Sequence, residues 1–239
     1  MTSNPTLLHI ETATEVCSVA LSQGASLLGV EESSDGHSHS KNLLPYIDLL
    51  LHKTGLAMEA IDGIVVSIGP GSYTGLRIGT STAKGIAYSL GKPVITVSTL
   101  ESIAYGAAAG WTTDGLPAPH YVPMIDARRM EVFAAHYDAQ LQQIEAPHPV
   151  IVGSDSFSAL LNEHRVVFCG NGMPKCKALL TAHPNALFSE QPLSATSLLT
   201  PALKKWELRD FADTAYFEPF YLKEYIAAKP VVKGLHPKT

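Results

Sequence analysis

Four groups of residues in this chain have types and spacings that could do chemistry. The first is the run Gly69-Pro70-Gly71-Ser72-Tyr73-Thr74-Gly75-Leu76-Arg77-Ile78-Gly79. It joins a strand-like run, Gly63 to Ile68, to a helix-like run, Thr74 to Leu90. Glycines at such a junction let backbone N–H groups converge on an anion, and a helix N-terminus adds partial positive charge. The same loop could instead pack tightly against another backbone. A Walker A loop needs a lysine after its last glycine, and here none follows until Lys84. A dinucleotide loop needs two residues between its second and third glycines, and here three separate Gly71 from Gly75. Phosphate binding by this loop alone is therefore disfavoured.

The second group is Glu11, at the end of the first strand-like run. Phosphoryl chemistry there would need a metal and a glycine hairpin. The following residues, Thr12-Ala13-Thr14-Glu15, hold no glycine, so a surface carboxylate is expected. The third is His37-Ser38-His39. No H-x-x-x-H or H-E-x-x-H companion accompanies it, so exposed loop histidines or a serine helix cap are expected and no metal site is assigned. The fourth is Asp126-Ala127-Arg128-Arg129. Adjacent arginines can bind a phosphate or a partner carboxylate, and they can also pin Asp126 in an internal ion pair, the reading favoured here. No Ser/His/Asp or Cys/His set follows from spacing, so no catalytic residue is assigned.

Small residues recur at i+4 in the helix after the loop: Gly75, Gly79, Ala83 and Ala87. Glycine inside a helix costs about 0.5–1 kcal/mol relative to alanine, which calls for a packing reason. Close packing on the chain's own sheet and docking of a helix from another chain both satisfy it.

These groups must be positioned by regular elements. Leu7 to Thr12, Val16 to Leu21 and Leu27 to Glu31 read as three strands. A helix over about 40–53 follows, with Leu43, Leu44, Ile47, Leu50 and Leu51 at helical spacing and Gly55 as its stop. Then come the strand 63–68, the loop, the helix to Leu90, a strand Val94 to Val97, and a helix to Ala109 with Ser98 as its cap. After a Gly/Thr/Pro-rich stretch the order repeats. Strands are expected at Tyr121 to Ile125, Met130 to Tyr137 and Leu141 to Glu145. A helix at 156–163, a strand at 166–169, a short helix at 175–182 and a long helix from about Ala195 to Phe211 complete the copy. Thr200-Pro201 marks that last helix's true start or a kink. A β-β-β-α-β-α-β-α unit used twice, the second copy reduced, is the ordering of the two-lobed actin/hexokinase/Hsp70-like ATPase fold, an α/β class. The expected division is an N-terminal lobe at 1–109, carrying the partner-binding helices, and a smaller lobe at 110–239; the sequence leaves open whether the last helix packs back on the first lobe.

Composition supports a folded chain. Of 239 residues, 46% are hydrophobic and 16% charged, which allows a sizeable core and argues against disorder. No apolar run reaches the roughly 18 residues of a membrane span, and Met1 to Pro5 lacks a basic leader. Three cysteines without metal-type spacing fit a reduced cytoplasm. The net charge of −5 is uneven, with residues 1–127 at −6 and the remainder at +1. A chain that binds nucleic acid alone usually shows a basic face, and this one does not. The tail lysines Lys223, Lys229, Lys233 and Lys238 read as a solvated tail.

The glycine run resembles the G-P-G-S-[FY]-T-G-L-R-I-G signature of the bacterial TsaB (YeaZ) family. Further resemblances extend along most of the chain. Leu8 to Thr12 is similar to the opening strand, His39-Ser40-Lys41-Asn42-Leu43-Leu44-Pro45 to H-S-x-x-L-L-P, Asp126 to Phe133 to D-A-R-R-x-E-V-Y, and Pro219 to Lys223 to P-x-Y-L-R. Glu11 stands where the family usually has aspartate, and Tyr73 where phenylalanine is commoner. The resemblance implies an actin-like fold and a cytoplasmic, non-catalytic subunit. Such a subunit supports the transferase TsaD in making N6-threonylcarbamoyladenosine at position 37 of ANN-decoding tRNAs. It implies pairing with TsaD through N-terminal-lobe helices, an added ATPase, TsaE, and a homodimer when alone. It implies tRNA contact only through the complex, no intrinsic cofactor, and ATP or ADP only at the level of the complex. We expect His39, Leu43, Ile47, Leu50, Gly75, Gly79 and Ala83 to bind the partner, and Gly69, Gly71, Arg77, Asp126, Arg128 and Arg129 to be structural. An active small-molecule kinase or ATPase, with Glu11, Asp126 and Arg128 facing the phosphates, is the alternative.

Overall fold

The computed structural model describes residues 4–34, 39–112 and 115–223. Apolar, β-branched runs form the first sheet: β1 (Thr6–Glu11), β2 (Cys17–Gln23), β3 (Ser26–Ser33), β4 (Gly63–Ser67) and β5 (Val94–Val97). Their order is β3-β2-β1-β4-β5. β1 pairs antiparallel with β2 and parallel with β4. This central strand is buried along its whole length, as a strand covered on both faces must be. The second sheet repeats the arrangement with β6 (His120–Asp126), β7 (Glu131–Tyr137), β8 (Gln143–Ile151), β9 (Val166–Cys169) and β10 (Ala186–Ser189), in the order β10-β9-β6-β7-β8. Read outward from the first strand of each copy, β6 takes the place of β1, and the duplicated actin-like order is present in both sheets.

Helices α1 (His39–Thr54) and α2 (Tyr73–Leu90) cover one face of the first sheet. Leu43, Ile47 and Leu50 of α1 and Ala83 of α2 lie in one core with Leu8, Ile10 and Val19. Each such large side chain contributes roughly 1.5–3 kcal/mol by leaving water. The covering of the remaining faces is exchanged. Helix α3 (Thr99–Ala109), which follows the first sheet in sequence, packs Leu100, Ile103 and Ala107 against Tyr121, Ile125 and Val167 of the second. The 3-10 turn Ala195–Leu198 and α6 (Leu199–Leu208) return to the first sheet, where Leu198, Ala202 and Trp206 meet Leu7, Val65 and Ile95. The second copy's own helices, α4 (Ser158–Glu163) and α5 (Met173–Leu180), are short.

Three local expectations need correction. Strand β10 lies between two expected helices, where four half-buried residues show no alternation. The long final helix is a 3-10 turn followed by a ten-residue helix. Pro201 sits in its first turn, where the missing N–H does no harm. Ser98 takes the N-cap position of α3, yet its side chain makes no capping hydrogen bond.

Candidate functional site

The glycine loop settles its own ambiguity. Gly69 has φ 118°, a conformation that a side chain would strain, and a Cβ there would lie 2.5 Å from the Phe220 carbonyl oxygen. A Cβ on Gly71 would overlap the Ala13 carbonyl oxygen, and one on Gly75 the Thr12 carbonyl oxygen. Gly79 lies against the Thr12 hydroxyl in the same way. Ser72 N–H donates to the Ala13 carbonyl at 2.7 Å, and the Thr12 hydroxyl donates to the Gly75 carbonyl at 2.8 Å. The glycines exist so that the loop and α2 can touch the turn after β1. The other side of both segments, at Ala13 to Glu15 and Pro70 to Gly75, faces the cleft described below. Ser72 caps α2 by accepting from Gly75 N–H at 3.2 Å.

Glu11 is not the expected surface carboxylate: it is fully buried. Its Oε1 accepts from Ala13 N–H and Ser67 Oγ–H, each at 2.7 Å, while Oε2 has no hydrogen-bond partner among the described residues. Burial drives its pKa up to about 7 against the pull of those donors. Two residues back, His9 is equally buried, and burial lowers its pKa to about 3. The sequence signal was present but misread. A carboxylate closing this mostly apolar strand is buried because the strand is covered along its whole length.

Between the two sheets lies an open cleft of about 1080 Å³. It is bounded by the turn after β1, the start of α2, the turn between β6 and β7, and residues 220–223. Asp126 reaches it from the end of β6. The expected ion pair with the arginines is corrected: the Lys175 ammonium holds Asp126, and Asp126 Oδ1 accepts from Arg128 N–H at 2.7 Å. Burial works to raise this carboxyl's pKa, and the Lys175 and Arg128 donors outweigh it and hold it below the ordinary value. Arg128 and Arg129 are exposed at φ 72° and 51°, in the left-handed region.

Residues 220–223 form a strap that sequence reasoning did not place. Phe220 N–H donates to the Ile68 carbonyl at 2.6 Å. The Tyr221 ring packs tilted against Tyr73, centroids 5.0 Å apart, and its hydroxyl accepts from Arg77 Nε–H at 3.3 Å, while the Arg77 guanidinium lies 4.2 Å over the Tyr73 ring. Lys223 pairs with Glu131 of β7, on the second sheet. The strap thus ties α2 to the second sheet, and Arg77 and Tyr73 have their structural reason.

The expected partner-binding residues also need correction. Leu43, Ile47, Leu50, Gly75, Gly79 and Ala83 all point inward and are buried in the chain's own core. His39 opens α1 and is buried too, its Nε2–H donating to the Thr14 carbonyl at 2.8 Å. Helical periodicity finds an apolar stripe without saying which sheet or helix covers it. The outward faces carry other residues. On α1 these include Leu44, 60% exposed, and Leu49. On α2 they include Tyr88 and an exposed small-residue row, Ser81, Gly85 and Ser89. A Cβ on Gly85 would meet nothing within 4 Å.

His37, Ser38 and the tail lysines Lys229, Lys233 and Lys238 lie outside the described residues. Among the described residues no set of three metal-type side chains stands gathered for an ion, and no helix is long and apolar enough to cross a membrane.

Comparison with known proteins adds a family. The model described as "TsaD: tRNA N6-adenosine threonylcarbamoyltransferase" matches residues 19–235. A tRNA threonylcarbamoyladenosine biosynthesis protein TsaB of Bacillus subtilis is 34% identical over 170 residues, covering 70% of this chain and 71% of its own length. The TsaB protein of Haemophilus influenzae is 38% identical over 130 residues, 54% of this chain and 52% of its own length. The match to this last relative, like that to the TsaB protein of Escherichia coli, spans about half of the relative's length. The structure of YeaZ from Pseudomonas aeruginosa superposes with a TM-score of 0.76 at 28% identity, over 91% of this chain and all of that one.

Proposed function

The chain belongs to the TsaB (YeaZ) family, and from that premise we propose that it serves as a non-catalytic partner subunit in the biosynthesis of N6-threonylcarbamoyladenosine in tRNA. Its partner in this reading is a TsaD-type transferase, which docks on the outward faces of α1 and α2. The observation that carries the non-catalytic part is the closed glycine loop. Its glycines are accounted for by close packing against the backbone of the turn after β1, a reason that calls for no substrate anion. Glu11 supports the same reading. A carboxylate that works on phosphate and metal must reach them, and this one is sealed beneath Ala13 and Ser67.

The docking part draws on the exposed faces of the two helices. Leu44, Leu49 and Tyr88 supply apolar area, and the row Ser81, Gly85 and Ser89 lets a helix approach closely. The same surface would serve a second copy of this chain when the transferase is absent, so homodimer and heterodimer compete. ATP or ADP, a TsaE-type ATPase and tRNA enter only with the complex.

Reconstitution of the tRNA modification tests the reading. With the transferase and ATPase present, omission of this chain should abolish the product. This chain alone, given ATP, magnesium and tRNA, should make none. Full product without it would contradict the reading, and so would ATP turnover by the chain alone that Glu11→Ala abolishes.

A further inference from the structure

The turn between β6 and β7, residues 127–130, has two features that folding does not explain. The first is its backbone. Arg128 and Arg129 both have positive φ, at 72° and 51°. A hairpin turn that needs successive positive φ values ordinarily takes Asn and Gly, because a larger side chain crowds the backbone there. This chain places two arginines instead. Backbone alone closes the turn: Glu131 N–H donates to the Arg128 carbonyl and Ala127 N–H to the Glu131 carbonyl, each at 3.1 Å. Neither bond needs an arginine side chain. Strain kept against the local preference is concentrated at functional sites.

The second feature is unmatched charge. The carboxylates of the cleft have partners: Asp126 pairs with Lys175, Glu131 pairs with Lys223, and Glu15 accepts from Asn171 Nδ2–H at 3.0 Å. Arg128 adds to the field that lowers the Asp126 pKa, yet neither it nor Arg129 makes a side-chain ion pair or hydrogen bond among the described residues. Both arginines are exposed and line the cleft, as do Tyr73, Phe133 and Tyr221. A guanidinium fork matches phosphate oxygens, and aromatic rings can stack on unpaired bases. Exposed guanidinium groups hold an isolated phosphate weakly in water, whereas a polynucleotide also releases condensed counterions to them.

We propose that Arg128 and Arg129 bind backbone phosphates of the tRNA when this chain stands in the transferase complex. The inference rests on the partner-subunit reading above and gives that subunit a direct contact with the substrate RNA. The chain carries a net charge of −5, so it does not gather a polyanion unaided. The arginines act on RNA that the complex has already brought to the open cleft. Phosphate contacts of this kind fix the position of the RNA and carry no sequence information.

The double variant Arg128→Asn, Arg129→Gly tests the contact in the complex of full chain, transferase and ATPase. It gives the turn the residues that its backbone prefers, so the chain should melt no lower than wild type. It should also co-elute with the transferase as wild type does, which keeps the partner-subunit reading separate from this one. The Kd of the assembled complex for tRNA should rise about fivefold or more at about 0.1 M salt. The slope of log K against log salt should flatten by about 1.4–1.8, the share of two phosphates. Arg128→Lys with Arg129→Lys should keep the wild-type slope, since lysine meets phosphate as a point charge. An unchanged tRNA Kd and slope in the assembled variant complex would overturn the proposal. Loss of co-elution would overturn it too, by assigning the arginines to the partner protein. So would weaker ATP binding with tRNA binding intact, which would assign them to a free nucleotide. If the wild-type chain itself fails to join the transferase, the partner-subunit reading falls and this proposal falls with it.

Discussion

Glu11 and Asp126 hold the same place in the two copies of the repeated unit. Each ends the first strand of its sheet and precedes the turn to the second. Their chemistry is opposite. Glu11 is fully buried with Ala13 and Ser67 bonded to it, and burial drives its pKa up to about 7. Asp126 sits at the open cleft, and the Lys175 ammonium holds its pKa below the ordinary value. The turns that follow differ in the same sense. Thr12 and Ala13 are buried against Gly75 and Gly71, whereas Arg128 and Arg129 are exposed. One fold thus carries a closed end and an open end. What separates them is whether a glycine-rich loop packs down on the turn, since the sheet order is shared.

The largest expected effect comes from forcing the closed end apart. Gly75→Ala puts a methyl group onto the Thr12 carbonyl, and we expect a loss of about 3 kcal/mol or more in urea-induced unfolding. Gly85→Ala on the outward side of the same helix meets open space. It should gain about 0.5–1 kcal/mol from helix propensity. Equal effects at the two glycines would dissolve the distinction between inner and outer faces.

Glu11→Gln sharpens the contrast through pH. The folded state binds the Glu11 proton more tightly than the unfolded chain does. The contribution is therefore fully present below about pH 4.5 and is lost as pH rises through about 7. The full swing is of order 3 kcal/mol. His9 works in the opposite sense, losing stability as pH falls from 6.5 towards 3. The variant should lack the decline between pH 4.5 and 7 that the wild-type chain shows in chemical denaturation. Parallel curves for the two proteins would mean that Glu11 is solvated. The smallest effect belongs to the open end. Asp126→Asn removes an ion pair in which Asp126 is itself exposed and should cost less than about 1 kcal/mol, with little pH dependence above pH 5.

Much of this was readable from sequence. The strands of the first sheet, α1, α2 and the duplicated order follow from apolar runs and turn residues, because period and punctuation are local signals. β10 escaped because its four residues, Ala186 to Ser189, lack alternation and pair only with a strand already formed. The burial of Glu11 escaped because its partners are set by tertiary structure, Ser67 lying 56 residues further along the chain. The inward turn of Leu43, Ile47, Leu50, Gly75, Gly79 and Ala83 escaped for a simpler reason. A stripe of apolar or small residues looks the same whether it meets the chain's own sheet or another subunit. The strap at Phe220 and Tyr221 appeared in sequence only as a motif without a place.

Co-elution with a TsaD-type transferase tests the central claim most directly, using Gly85→Leu. That side chain projects from the outward face of α2 into space the chain leaves empty, so the fold should survive and melt within about a degree of wild type. We predict that the folded variant no longer co-elutes with the transferase and no longer supports tRNA modification. A folded Gly85→Leu chain that binds and supports modification as the wild type does would contradict the account.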